Sequence, residues 1–177
     1  NAPHFQYTVG QTVPCGSDIL FNLAIVTAQG TFNSSFSVKV GKVGSAVNSY
    51  PATDVPKPVP DNNATGVSSV TTIADTNLVT KVRVTVNITH TWDNDLSIFL
   101  IGPNGTSVTL SNRHGSSGDN YTNTVFDDAA ATPIASGNPP YTGSFKPDSP
   151  LSALNGIPSN GNWTLKINDN ATGDSGT

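Results

Sequence analysis

Methionine is absent from the 177 residues, cysteine occurs once, and charged side chains make up only 11% of the chain. Each shortage closes something off. Cys15 is alone, so no internal disulfide staples the fold. It either pairs outside this chain or packs as a small buried residue, the commoner habit of a free cysteine. No apolar run approaches the roughly 20 residues that a membrane-crossing helix needs. Eight Lys and Arg are scattered among twelve acidic residues, for a net charge of -4. They make no concentrated basic face, which argues against a nucleic-acid partner. With Asn1-Ala2-Pro3 at the start in place of a methionine, the chain reads as a fragment or processed product whose export signal has gone.

Ser, Thr, Asn and Gly fill the places that charge leaves, giving the neutral, hydrogen-bonding surface of many secreted β proteins. Val, Ile, Leu and Phe recur at strand spacing throughout, so this is no disordered tract. No window carries a helical period. The reading is an all-β chain folded as a jelly-roll-like β-sandwich. Its clearest stretch is 90–128, where Leu96, Ile98 and Leu100, then Val108 and Leu110, alternate with polar residues. Two strands with one buried face each follow, reversed at Pro103-Asn104-Gly105, where glycine supplies the positive φ of a tight turn. Val67 to Ile73, Val79 to Ile88 and Trp163 to Ile167 give further strands. Residues 129–150, with Pro133, Pro139, Pro140, Pro147 and Pro150, read as a long loop anchored by Tyr141 and Phe145.

Three regions divide the chain. Residues 1–45 hold three expected strands, Phe5–Val9, Ile19–Ala28 and Phe36–Val40, too few for a lasting sandwich of their own. Residues 46–62 carry Pro51, Pro56, Pro58 and Pro60 and suit a stiff extended linker. Residues 63–177 form the main sandwich.

A family resemblance rests on particular residues of the third region. These are His90-Thr91-Trp92, Asp95-Leu96, Leu100, Pro103-Asn104-Gly105-Thr106, Leu110, Phe126-Asp127-Asp128, Gly161-Asn162-Trp163-Thr164-Leu165, Asp169 and Gly173-Asp174-Ser175-Gly176-Thr177. In order and spacing they resemble the P domain, the β-sandwich that follows the catalytic domain in kexin- and furin-like proprotein convertases and recurs in bacterial secreted proteases. Asn94 stands where a glycine is usual, and Gly102 where a serine is. The family's last strand would fall after Thr177. The resemblance implies a secreted, non-catalytic module whose partner is the catalytic domain of a parent subtilisin-like or metallo-protease. Cys15-Gly16 and the strand after it resemble the tail of an immunoglobulin-like domain, or residues 1–45 form a set of strands that packs elsewhere.

Asp95, Asp119, Asp127, Asp128, Asp169 and Asp174 all lie at expected strand ends, half of the acidic residues of the chain. Calcium takes six to eight oxygens, which such loops supply through carboxylates and carbonyls, so these six are the candidate calcium ligands. The plainer reading has each aspartate capping a turn through backbone N-H groups. No loop fits the EF-hand pattern, since Ala171 falls where a ligand belongs. Gly173-Asp174-Ser175-Gly176 spells the nucleophile motif of chymotrypsin-like proteases, but His4, His90 and His114 lack matching context, and no enzyme is read here. His90 is expected to pack beside Trp92 or to bond a backbone group. Trp92 and Trp163 are core or edge aromatics, or else a sugar-stacking platform. From a different class comes a self-assembling extracellular structural or adhesive subunit, completed by a strand from a neighbouring copy.

Overall fold

The structure is a computed structural model that describes residue 13 and residues 17–41 and 47–177. The strand expected at Phe5–Val9, His4, Cys15 and Gly16 lie outside these residues. Two compact units divide between Val47 and Asn48.

In the first unit, β1 (Asp18–Thr27) and β2 (Gly30–Lys39) form one antiparallel hairpin. Strands expected at Ile19–Ala28 and Phe36–Val40 are therefore a single ladder, because the second begins at Gly30 and runs the full length of the first. Cross-strand register puts Ile19, Phe21, Leu23 and Ile25 on the same face as Val38, Phe36 and Phe32. Asn22, Ser35, Asn33, Thr31 and Ser37 fall on the other. Phe21 and Phe36 stack with centroids 5.1 Å apart.

The second unit is a two-sheet sandwich. Its strands are β3 (Asn63–Ile73), β4 (Val84–Ile88), β5 (Leu96–Ile101), β6 (Ser107–Asn112), β7 (Tyr121–Phe126), β8 (Thr132–Pro133), β9 (Tyr141–Lys146) and β10 (Gly161–Asp169). One sheet has the order β3-β10-β5-β6 and the other β4-β7-β9-β8. Among the described residues the only helical pieces are three single 3-10 turns. Leu96, Ile98 and Leu100 of β5, with Val108 and Leu110 of β6, face Val86, Ile88, Tyr121, Phe126, Tyr141 and Phe145 across the core. Each such large side chain contributes about 1.5–3 kcal/mol by leaving water. The turn after β5 forms as the sequence dictates: the Gly102 amide donates to the Thr106 carbonyl at 2.9 Å, and Gly105 sits at φ +82°.

Residues 129–150 are not the bare loop that their prolines suggest. β9 lies parallel to β7, Tyr121 opposite Tyr141 and Phe126 opposite Phe145, and β8 adds to its far side. A parallel neighbour needs no hairpin turn, and only Tyr141 and Phe145 of β9 are buried, so alternation in the sequence is faint. The strand expected from Val79 starts only at Val84, because Val79 hydrogen-bonds the Ile157 carbonyl in a neighbouring loop instead.

Sheet edges are covered by side chains and short straps. The Val70 amide of β3 donates to Asp54 Oδ2, and Lys57 Nζ donates to the Ser68 carbonyl. Lys57 also pairs with Asp54 at 2.6 Å, and these contacts hold Asp54's carboxyl well below the usual carboxylate range. Val59 is buried in the core. Along β6, the amides of Asp148 and Ser149 donate to the carbonyls of Leu110 and Thr109.

Candidate functional site

Strand register sorts the six candidate aspartates into two groups. β10 runs antiparallel to β5 with Asp169 opposite Leu96, and Ile88 at the end of β4 faces Tyr121 at the start of β7. Asp95, Asp119, Asp169 and Asp174 therefore gather at one end of the sandwich. Asp127 and Asp128 follow β7 at the opposite end.

At that opposite end the carboxylates are already engaged. Asp127 takes Lys81 Nζ at 2.8 Å and Arg83 Nε at 2.7 Å, and Oδ1 also accepts the Ala129 amide at 2.9 Å. Lys81, then the Ala129 bond, lower its pKa. Asp128 spends both oxygens on the Leu151 and Ser152 amides, each at 2.8 Å, at the start of the 3-10 turn Leu151–Leu154.

The other end is a buried polar network. His90, 1% exposed, sets Nε2 3.2 Å from Asp169 Oδ2 and Nδ1 3.0 Å from the Trp92 carbonyl, and its amide donates to Asn120 Oδ1. It bonds a backbone group, as expected, and a carboxylate that the sequence did not pair with it. Asp169 Oδ1 also accepts the Ala171 amide, and Asp174 Oδ1 accepts the Thr91 hydroxyl at 2.8 Å. Burial, reinforced by the charge of Asp169, raises the Asp95 pKa, while Arg113 at 3.7 Å opposes it.

Asp93 is the residue that sequence reasoning passed over. It is fully buried within the 3-10 turn Asp93–Asp95. Its amide donates to the Gly118 carbonyl at 2.8 Å, and Oδ1 accepts the Asn120 amide at 3.0 Å. Oδ2 is buried without a partner. Burial pushes its carboxyl up to about 7, with Asp119 adding to the rise and the Asn120 bond and His90 opposing it. Gly115, at φ +101°, lets the loop close over this carboxyl, since a Cβ there would stand 2.9 Å from both Asp93 Cβ and Pro139 Cγ. The Tyr121 and Tyr141 rings stack at 4.8 Å and feel the Asp93 charge; Tyr121 OH bonds Ser111 Oγ at 3.0 Å. Two aspartates two positions apart, followed by the glycine-bearing stretch Gly115-Ser116-Ser117-Gly118, were the only sequence signal.

Among the described residues no three His, Cys, Asp or Glu side chains converge as a ready-made metal cage. A calcium ion would therefore draw part of its shell from carbonyls and water, which its chemistry allows. Ser175 is exposed, and although Gly176 packs against the His90 ring, both ring nitrogens are engaged with Asp169 and Trp92. Trp163 donates Nε1 to the Ser159 carbonyl and packs on the core, whereas Trp92 is 42% exposed.

Comparison with known proteins places this arrangement. The chain is 32% identical over 120 residues to the leupeptin-inactivating enzyme 1 of Streptomyces exfoliatus, covering 67% of this chain and 22% of that protein. It is 29% identical over 152 residues to the transglutaminase-activating metalloprotease of Streptomyces mobaraensis, covering 85% of this chain and 16% of that one. Less than a quarter of either relative's length is thus represented. A solved serine protease of Aeromonas sobria aligns at 17% identity with a TM-score of 0.46, over 86% of this chain and 30% of that one. The family model of the proprotein convertase P-domain matches residues 79–177, more than half of the sequence, and the chain belongs to that family.

Proposed function

We propose that this P domain is a non-catalytic module of a longer, exported protease, where it stabilises or orients the catalytic part and takes calcium at its loops. One observation carries the first half: the histidine that packs beside Gly176 is spent on other groups. His90 has no free nitrogen to accept a proton from Ser175, and a serine without a base is a weak nucleophile. Protease relatives several times its length suit a module with a catalytic neighbour. No helix among the described residues is long and apolar enough to cross a membrane. Calcium suits the loops by charge and donor type, in a chain whose twelve acidic residues are all aspartate.

The test is the parent protease with and without this segment. Deletion should shorten the half-life of activity on heating and leave the isolated segment without peptidase activity. An unchanged half-life would overturn the accessory role. Melting of the segment with calcium and with chelator, followed alongside sedimentation, reads the calcium half. A second reading, strand exchange between copies, draws on β4, which lies at the edge of its sheet. It requires large particles in sedimentation, where the accessory module gives a monomer.

A further inference from the structure

The 113–120 loop and the turn before β5 enclose a carboxylate oxygen that nothing in the fold satisfies. Asp93 is fully buried, and no Lys or Arg among the described residues pairs with it. An uncompensated carboxylate so placed is costly, and native structures rarely leave one without a partner. The groups facing it are His90, Asp119, Tyr121 and Tyr141. None donates to Oδ2. His90 has both nitrogens engaged, the Tyr121 hydroxyl lies against Ser111, and the Tyr141 hydroxyl is itself buried without a partner.

The nitrogen-bearing side chains of the loop are engaged elsewhere, Arg113 with Asp95 and His114 with Asp148, and leave its oxygens as the donors on hand. Gly118 and Asn120 both bond Asp93, which puts Asp119 at the point where the loop closes over it. Asp119 is exposed, and its carboxylate is near enough for its negative charge to act on Asp93. The carbonyls of Gly115, Ser116 and Gly118 each accept one amide here and keep a second lone pair. With two carboxylates, several carbonyls and no available nitrogen or sulfur, the chemistry selects a hard cation over zinc.

We infer that Asp93 and Asp119 seat a divalent cation of calcium type beneath the 113–120 loop. This rests on the calcium reading above and names its seat, a residue outside the six that strand-end position suggested. Asp127 and Asp128, at the far end, have no part in it.

Terbium stands in for calcium in the test, because Trp92, next to Asp93 in the chain, can sensitise its luminescence. Wild type, Asp93→Asn, Asp119→Asn and Asp127→Asn are titrated with terbium and then competed with calcium. Near-ultraviolet circular dichroism checks the fold of each. Wild type should show sensitised emission that calcium displaces. Asp93→Asn should weaken binding about tenfold or more, Asp119→Asn less, and Asp127→Asn not at all. If Asp93→Asn keeps wild-type affinity with its fold intact, Asp93 is a neutral buried acid or binds water, and the seat is wrong while calcium binding stands. If wild type binds neither ion, the calcium reading itself fails, and the accessory role is still read separately by the deletion. Should Asp93→Asn unfold, the exposed Asp119 decides: wild-type affinity in Asp119→Asn overturns the site.

Discussion

Asp127→Asn separates an ion-pair role from a calcium role at the end of β7. Lys81 and Arg83 approach the Asp127 carboxylate at 2.8 and 2.7 Å, but their side chains are 46% and 57% exposed. Solvent therefore screens both pairs, and each is worth about 0.2–1 kcal/mol rather than the larger value of a dry pair. Asparagine keeps an oxygen for the Ala129 amide, so that bond survives. The net loss is about 0.4–2 kcal/mol, or roughly 1–8 °C in melting temperature for a domain of this size. Urea unfolding followed by tryptophan fluorescence should show a lower midpoint with an unchanged slope. The sign of the pH dependence follows from the lowered pKa of Asp127. Its stabilisation is present above the unfolded carboxylate range, near about 4, and disappears as pH falls through the lower folded value. The gap between wild type and variant should close on acidification below about pH 4. Calcium-dependent melting should be the same in both proteins. A lost calcium response would refute the assignment, and an unchanged midpoint at pH 7 would refute the arithmetic.

Three further outcomes follow from named contacts. Tyr121→Phe leaves Ser111 Oγ buried without its partner and should cost about 1–3 kcal/mol, while adding Ser111→Ala should recover part of that in a double-mutant cycle by urea titration. Asp128→Ala removes the acceptor of two amides and should cost about 0.5–2 kcal/mol, with faster hydrogen exchange at Leu151 and Ser152. Ser175→Ala should shift stability by no more than about 0.5 kcal/mol and leave the activity of the parent protease unchanged; lost peptidase activity would revive the serine as a nucleophile.

The sandwich was legible where one strand states its own pattern. Leu96, Ile98 and Leu100 alternate without interruption, and the Pro103-Asn104-Gly105 turn follows from glycine's freedom. β9 was hidden because a parallel strand takes its place from its neighbour, and Tyr141 and Phe145 are too few to announce it. The aspartates show the same division. That they sit at strand ends could be read directly. Which of them face Lys81 and Arg83, a capped turn or His90 depends on cross-strand register between distant segments, which local pattern does not encode. Asp93 escaped because both it and Asp95 are buried, and only the fold shows that Asp95 faces Arg113 while an Asp93 oxygen is left without a partner.

The straps along β3 and β6 bear on survival among proteases. An endopeptidase commonly holds its substrate as an extended strand, laying its own backbone against exposed amides and carbonyls. Asp54 and Lys57 occupy such groups on β3, and the backbone of Asp148 and Ser149 does so on β6. β8 is two residues long and ends in proline. Three of the four sheet edges thus offer little purchase for cleavage. A domain travelling beside an active peptidase would outlast its neighbour's self-digestion.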